Sequence, residues 1–597
     1  MKPMHLVVAF IVLLGAVWGF LPPFTVTLLS YIGLYALVAV GLVMLTGVGG
    51  MTSFGQAAFV GLGAYATAWI TLSPEAAQWL AALPKGISPW IGLLLGLAVT
   101  ALVAWVLGAV TLRLSGHYLP LGTIAWGLSL YYVFGNLEVL GGFTGLSGIP
   151  PLEVFGVSLA SPRLLGVVIW AVLLVAIWGL HNLLDSREGR AIRALKSGRL
   201  MAESMGVDTA RQRIKVFVLA ALLAALSGWL YVLLQRFVNP TPFALNIGIE
   251  YLFMAVVGGV SHVWGAILGA GLITVLKQWL QDWLPSLLGK SGNFEMIVFG
   301  LLMILVLQRA RDGVWPMLQR FFPQAAAHAP MIKAQALPRR PLPEAGSVLL
   351  EVKDACKRFG GLVANDRMSF CVRAGEVMAL IGPNGAGKST MFDGISGVDP
   401  LTSGAVSFRG QRIEALPARA IAQRGMSRTF QHVRLLPAMS VIENVAIGTH
   451  LRGRKSFVAA AFRSDRGEEA RLLQEAAAQI ERCGLAEHMH ELAGSLPLGK
   501  QRAVEIARAL ASDPCLLLLD EPAAGLRYLE KQALAELLRR LRAEGIGILL
   551  VEHDMDFVMG LADRVLVMEF GQKLAAGLPD EIQRNPAVIE AYLGGLE

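Results

Sequence analysis

The stretch Gly382-Pro383-Asn384-Gly385-Ala386-Gly387-Lys388-Ser389-Thr390 constrains this chain more than any other. It fits G-x-x-x-x-G-K-[ST], with the apolar run Val377–Ile381 before it and Met391-Phe392 after it. A buried strand, a turn and the start of a helix are the context such a loop requires. Glycines let backbone N–H groups close around phosphate oxygens, and the positive end of the following helix faces the same charge. In that arrangement Lys388 reaches the β- and γ-phosphates and Ser389 holds Mg2+.

One such loop cannot account for the whole chain. It has 597 residues, of which 55% are hydrophobic and 16% charged, and its mean hydropathy is +0.58. That is too apolar for an average soluble protein. The excess is uneven: residues 1–308 are a series of long apolar runs, and 347–597 read as an ordinary α/β domain. The expected fold is therefore multidomain, an α-helical polytopic membrane domain followed by an α/β ATPase domain. The net charge of +8 is expected to reflect Lys and Arg in cytoplasmic loops rather than a nucleic-acid surface. Cys356, Cys371, Cys483 and Cys515 show no C-x-x-C spacing and read as reduced thiols in a cytosolic domain.

Hydropathy predicts about ten spans of roughly bilayer length, at 5–20, 25–48, 55–72, 89–112, 118–134, 163–183, 215–235, 247–261, 264–284 and 293–308. The first has no small-x-small cleavage site after it and reads as a retained helix, not a signal peptide. Arg187, Arg190, Arg193, Lys196, Arg199, Arg211 and Arg213 crowd one loop, and Arg309 and Arg311 follow the last span. Residues 135–162 carry no Lys or Arg. The basic regions are thus expected in the cytoplasm, with the N-terminus on the same side.

Small residues interrupt the spans at Gly47–Gln56 and Gly258–Gly265. Two readings are open: a broken-helix pathway, or tight helix contacts with Gly265-x-x-x-Gly269 as a packing face. Gln56 could line a pore or cap a helix, and Glu138, Glu250 and Glu295 read as interfacial. In the basic loop, Leu200, Met201, Ser204 and Met205 can share one helical face while Arg199 and Glu203 point away. That predicts a short amphipathic helix ending near Gly206, docked on the ATPase domain rather than lying on lipid. Residues 309–346, with six prolines among them, are expected to be an extended, partly disordered linker.

Beyond the phosphate loop, chemistry-bearing residues recur in a fixed order. Phe359 could stack on adenine or be a buried strand aromatic. Gln431, in Thr429-Phe430-Gln431, could touch Mg2+ or the attacking water. Leu496-Pro497-Leu498-Gly499-Lys500-Gln501-Arg502 opens a helix. Leu516–Asp520 is a buried parallel strand whose end presents Asp520 and then Glu521. Asp520 would serve Mg2+, and Glu521 would be the general base for water. His553, after the strand ending at Val551, would contact the γ-phosphate.

Residues 347–597 resemble the ATPase of an ABC transporter. Arg358-Phe359-Gly360-Gly361-Leu362, Ala523-Ala524-Gly525-Leu526 and Val551-Glu552-His553-Asp554-Met555 are similar to the LivG-type subunit of branched-chain amino acid importers. Ser53-Phe54-Gly55-Gln56-Ala57-Ala58-Phe59, Gly145–Pro150, Gly189–Ala194, Val257-Gly258-Gly259 and Trp264-Gly265 resemble the LivM-type permease of those systems. The resemblance implies an inner-membrane importer with a cytoplasmic ATPase. It also implies a second permease, a second ATPase and a periplasmic binding protein, with ATP and Mg2+ but no nucleic acid. Leucine, isoleucine and valine are the expected substrates; other amino acids, amides or urea are the alternative. An exporter, or an ATP-gated regulatory protein, has less support. The boundaries expected are 1–308 permease, 309–346 linker and 347–597 ATPase.

Two departures from the ABC pattern matter. In place of L-S-G-G-Q it has Pro497 at the serine and Lys500 at the glutamine. The loop after Glu521 carries Arg527 where Asp is usual. These residues act on nucleotide held by the partner ATPase. The expectation is asymmetry: normal hydrolysis on this chain's loop and slow hydrolysis on the partner's.

Overall fold

The computed structural model describes residues 18–80, 86–112, 118–154, 156–288 and 334–593, with part of 300–321. The chain divides into two compact units. One is Met1–Leu184 with Ala210–Ala327; the other is Asp185–Thr209 with His328–Glu597.

In the membrane unit, the eight predicted spans from 25–48 to 264–284 each coincide with a helix. They are Pro23–Leu42 continuing into a π-helical turn Val43–Val48, Gln56–Leu72, Ser88–Thr111, Tyr118–Asn136, Pro162–Leu184, Thr209–Gln235, Leu245–Gly259 and Val263–Leu288. Among the described residues, five are long and apolar enough to cross a bilayer: Pro23–Val48, Ser88–Thr111, Pro162–Leu184, Thr209–Gln235 and Val263–Trp283. Gln56–Leu72, with 17 residues, rises only about 25 Å, and Leu245–Gly259 is shorter still. The predicted span 5–20 and most of 293–308, with Glu295, lie outside the described residues.

The interrupted stretches are tight contacts. A Cβ on Gly47 would lie 1.5 Å from the Val260 carbonyl oxygen, and one on Gly258 would lie 1.8 Å from that of Gly265. Gly269 meets the Met254 carbonyl in the same way. Lipid gives helices no hydrophobic reason to associate, so close backbone approach and dispersion must supply the attraction. Gln56 does not cap its helix: Gly55 is the N-cap, and Gln56 is the first helical residue, fully buried. Glu138 is exposed, and Glu250 is paired with Lys277 at 2.8 Å.

The second unit holds two sheets. The larger runs Met426–Arg428, Leu516–Asp520, Gly547–Val551, Val377–Ile381, Arg564–Glu569, Gln572–Gly577; all neighbours are parallel except the last pair. Its central strands are buried along their full length, which is why they read as unbroken apolar runs. Leu516 and Leu518 face the helix Lys388–Ile395 and the antiparallel sheet of Val348–Phe359 and Leu362–Arg373. Leu517 and Leu519 face the helices Leu498–Ala511 and Tyr528–Ala543. The strand ends carrying the phosphate loop, Glu521 and His553 thereby fall along one sheet edge, where α/β folds bind ligands.

Within the Pro-rich stretch, Trp315–Gln319 is helical where extended chain is expected, and the end from residue 334 is extended but held. Arg340 N–H donates to the Asp513 carboxylate, Arg339 pairs with Glu475 at 3.3 Å, and Leu337 is buried.

Candidate functional site

The phosphate loop leaves the buried strand Val377–Ile381 and enters the helix Lys388–Ile395. Gly387 has φ +93°, and a Cβ there would sit 2.2 Å from the Ala364 carbonyl oxygen and 2.6 Å from Asn365 Nδ2. Only glycine fits both demands. Asn365, fully buried, donates to the Gly387 carbonyl at 3.0 Å and fixes the loop from below. Pro383 and Asn384 lead into Gly385, around which space is open, and Ala386 packs into the core. Lys388 is buried. Its amine donates to the carbonyls of Gly382 and Pro383 at 2.8 and 2.9 Å. Burial holds its pKa below the usual lysine value, against the opposing pull of Glu521 and Asp520. Ser389 is exposed at the first helical turn, with Thr390 partly buried behind it.

Two carboxylates follow the strand Leu516–Asp520. Asp520 is 2% exposed. Its Oδ2 accepts from Arg428 at 3.3 Å, and its Oδ1 has no hydrogen-bond partner. Burial raises its pKa, with Arg428 opposing. Glu521 adopts φ +49°, an uncommon backbone state for a residue with a side chain, of the kind that clusters at functional sites. Its N–H donates to the Val551 carbonyl at 2.9 Å. Its carboxylate takes hydrogen bonds from Gln431 Nε2 at 3.0 Å and His553 Nε2 at 2.9 Å. Buried Glu552 steadies this loop by accepting from the N–H groups of Ala523 (2.6 Å) and His553 (3.1 Å).

This donor set fits a nucleotide's phosphates and a hard cation. Gly385 leaves room, Lys388 and the helix N-terminus supply positive charge, a buried Asp520 oxygen is unsatisfied, and the Ser389 hydroxyl is exposed. Phe359 is 49% exposed at its strand end, so it is available for stacking and is not a core aromatic. Lys357 Nζ sits 4.9 Å from its ring centroid.

The signature segment touches this site at its end, where Arg502 donates to the Gln431 carbonyl at 3.2 Å. Leu496 is buried. Pro497 precedes the helix Leu498–Ala511 without a side-chain cap, and its carbonyl accepts from Gln501 N–H at 3.0 Å. Gln501 Nε2 returns to the Leu496 carbonyl at 2.8 Å. Gly499 is pressed against Glu530, whose carboxylate also accepts from Arg527 N–H at 2.8 Å. Lys500 hydrogen-bonds to His488 Nε2, and His488 Nδ1 lies 2.8 Å from Glu491.

Asp185–Thr209 folds with the ATPase unit. In the helix Arg199–Ser204, Met201 and Ala202, with Met205 just beyond, pack fully buried against Phe430, Leu436, Met439 and Ile447, with Leu200 at the edge. Arg199 and Glu203 pair on the outer side. Gly206 turns with φ +87° against Leu451. The helix before it, Arg187–Ser197, docks as well. Arg187 donates to the carbonyls of His450 (3.0 Å) and Lys455 (2.8 Å). Arg190 grips Glu469 with both nitrogens, each side chain 5% exposed. Arg193 meets Glu443 at 2.8 Å. The sequence marks these arginines for orientation, and Arg190 and Arg193 also as part of a permease-like stretch, but not for docking; their three-residue spacing places them on one helical face and was the available signal.

Arg428 was also missed. Buried beside Asp520, it bonds Asp393 and Ser396 on the phosphate-loop helix and stands 5.2 Å from the ring centroid of Phe430. Its signal was a lone basic residue in the short buried strand before Phe430-Gln431.

Residues 24–307 match the family described as branched-chain amino acid transport system / permease component. Residues 365–524 match the ABC transporter family, and 572–596 match the branched-chain amino acid ATP-binding cassette transporter family. The high-affinity branched-chain amino acid transport ATP-binding protein LivG of Salmonella typhimurium is 44% identical over 249 residues, 41% of this chain and 98% of LivG. BraF of Pseudomonas aeruginosa, described in the same words, is 41% identical over the same shares. A solved nucleotide-free ATP-binding cassette from an ABC transporter shares 31% identity over 41% of this chain and 99% of its own, with a TM-score of 0.38. Permease and ATPase matches thus follow one another along a single polypeptide, and the chain belongs to the branched-chain amino acid ABC transporter family, with membrane and ATP-binding parts fused.

Proposed function

We propose that this chain is the fused permease–ATPase subunit of an inner-membrane importer that uses ATP to take up leucine, isoleucine and valine. The observation that carries the catalytic part is the meeting of Gln431 and His553 on the Glu521 carboxylate, at the strand end beside the phosphate loop. Glu521 would act as general base, drawing the proton from water as it attacks the γ-phosphate. Gln431 would orient that water, His553 would bond the γ-phosphate, and Lys388 would leave its loop carbonyls for the β- and γ-oxygens. Phe359 would stack on adenine. Mg2+, held by Ser389 and Asp520 with Gln431 nearby, would neutralise charge between the last two phosphates.

Docking of residues 187–206 on the surface that carries Phe430, next to Gln431, supports a coupling role: closure of two ATPase domains would pull this segment and switch the pathway. The domain assignment we propose is 1–308 permease, 309–346 linker and 347–597 ATPase, with about ten spans and a cytoplasmic ATPase domain. A second permease, a second ATPase and a periplasmic binding protein would complete the assembly. Leu496 to Gln501 would face the partner's nucleotide. With Pro497 and Lys500 there, turnover on the partner's loop should be the slower. Restoring Ser and Gln at these positions should raise it several-fold, read as phosphate release from a complex whose partner alone keeps its base.

The test is uptake of labelled leucine into proteoliposomes holding the assembled complex, with binding protein outside and ATP inside. Glu521→Gln is the control. Uptake that needs both additions and falls at least about 100-fold in the variant supports the reading. ATP turnover with no movement of leucine, isoleucine or valine overturns the substrate.

A further inference from the structure

The membrane unit contains a cavity of about 290 Å³ that the reading above leaves without a task. An arc of aromatic rings surrounds it. Tyr251 and Tyr35 have centroids 5.6 Å apart, Tyr35 and Tyr31 5.7 Å, Tyr31 and Tyr231 6.5 Å, and Tyr231 and Phe243 6.0 Å. Tyr31 is engaged by Gln235, and Ser227 Oγ donates to the Leu34 carbonyl at 2.9 Å. Within the described residues, the hydroxyls of Tyr35, Tyr231 and Tyr251 make no hydrogen bond. None of these three hydroxyls is sealed away from solvent, so an occupant of the cavity can reach them, whereas a purely apolar aromatic core has no use for them.

The lining also sets the net charge of an occupant. It carries no Asp, Glu, Lys or Arg among the described residues. Glu250, next to Tyr251 in the chain, is paired with Lys277. Uncharged walls in a membrane domain disfavour a net ion. A zwitterion brings opposite charges that cancel. Tyrosine faces attract its ammonium, free hydroxyls can donate to its carboxylate, and Leu34, Val60 and Ile247 offer contact to an aliphatic side chain. The volume lies at the small end of ligand sites, enough for one amino acid and too small for a lipid tail.

Position supports the same occupant. Ser227 and Tyr231 lie on Thr209–Gln235, roughly 20 Å of helix beyond Lys215, the last basic residue before the apolar span. That is about two thirds of a hydrocarbon thickness, so the cavity lies in the half of this span away from Lys215. Thr241 and Asn246 are exposed at its rim.

We propose that this cavity is the receiving site of the permease, where one net-neutral amino acid with an aliphatic side chain rests after entering from the extracytoplasmic side. This rests on the importer reading above and adds to it a location for substrate in the membrane.

The complex in proteoliposomes, with labelled leucine as probe, tests it. Tyr35→Leu and Tyr251→Leu remove aromatic faces; Tyr35→Phe and Tyr251→Phe remove only hydroxyls. Basal ATP turnover and assembly with partners should stay within about twofold of the parent. Leucine uptake should fall about tenfold or more in the Leu variants. In the Phe variants KM for the loaded binding protein should rise about threefold. If a Leu variant fails to assemble, the KM of the Phe variants decides. Uptake within twofold of the parent in assembled Leu variants, or unchanged KM in the Phe variants, overturns the site and leaves the importer reading standing. A parent that turns over ATP but moves no aliphatic amino acid overturns both.

Discussion

In the membrane unit the closest contacts are backbone against backbone, made where glycine removes the side chain: Gly47 on Val260, Gly258 on Gly265, Gly63 on Ala225. In the ATPase unit the polar contacts are side chain to side chain, at strand ends where Glu521 meets Gln431 and His553 and Arg428 meets Asp393 and Asp520, and between helices where Arg190 meets Glu469. The difference follows from the solvent each unit displaces. Water rewards burial of apolar strands and leaves polar groups to specify geometry. Lipid offers helices no such reward, so shape at small residues does the specifying. A glycine contact of this kind therefore fails when something is added, at Gly387 of the ATPase unit as much as in the membrane, and a side-chain pair fails when something is taken away.

The largest effect should come from addition. Gly258→Leu places a branched side chain where a Cβ already lies 1.8 Å from a carbonyl oxygen, and the backbones must part. No monodisperse protein is expected on size-exclusion chromatography in detergent. Gly179, with nothing near a Cβ, is the matched control, and Gly179→Leu should elute as the parent does. If Gly258→Leu also elutes normally, backbone proximity is not what holds this unit.

Removal in the ATPase unit should cost less, but measurably. Arg190→Met keeps length and leaves Glu469 buried without its cation. Breaking such a pair from one side costs about 3–5 kcal/mol, here concentrated on docking of the helix Arg187–Ser197. Amide exchange in that helix should accelerate at least tenfold while exchange in the strand Leu516–Asp520 is unchanged. Replacing both residues, Arg190→Met with Glu469→Leu, should recover much of the loss, because the uncompensated charge is gone. A double variant as labile as the single one would show that the arginine acts through packing.

The same contrast explains what could be read in the sequence. The phosphate loop, Asp520-Glu521 and His553 announce themselves because strand, turn and helix are neighbours in the chain, and most spans show as apolar runs. Arg428 was silent because its carboxylates lie 35 and 92 residues away. Arg187, Arg190 and Arg193 were visible, yet the positive-inside pattern accounted for them too readily and hid their role as docking groups. In the membrane unit, the glycines that touch and the glycines that do not are identical letters. Phe359 could be placed on a strand end, but only the fold shows it exposed.

The smallest effects separate two carboxylates in one loop, and their signs differ. Asp554 is hydrogen-bonded by Lys531 and by Phe557 N–H at 3.0 Å. Lys531 first, then that N–H, hold its pKa below the usual aspartate value. A depressed carboxylate contributes stability that is complete above its unfolded pKa, near 4, and is lost as pH falls through the lower folded value. Asp554→Asn keeps a capping oxygen and removes the charge. The melting temperature of the ATPase transition should drop by no more than about 2 °C. That gap should stay constant from about pH 8 to pH 5 and shrink only near pH 4 and below. Glu552 is the reverse case: burial raises its pKa, against hydrogen bonds from Ala523 and His553. Between the usual glutamate value and that raised one, the folded state holds the extra proton, so stability falls as pH rises through the window and is flat above it. Glu552→Gln should therefore gain on the parent as pH rises from about 4 through that window, whereas Asp554→Asn loses on it over the same interval until its gap is complete. Two variants drifting in the same direction would mean that solvation does not separate these neighbours, and the distinction between buried and solvated polar contacts would fail at its finest scale.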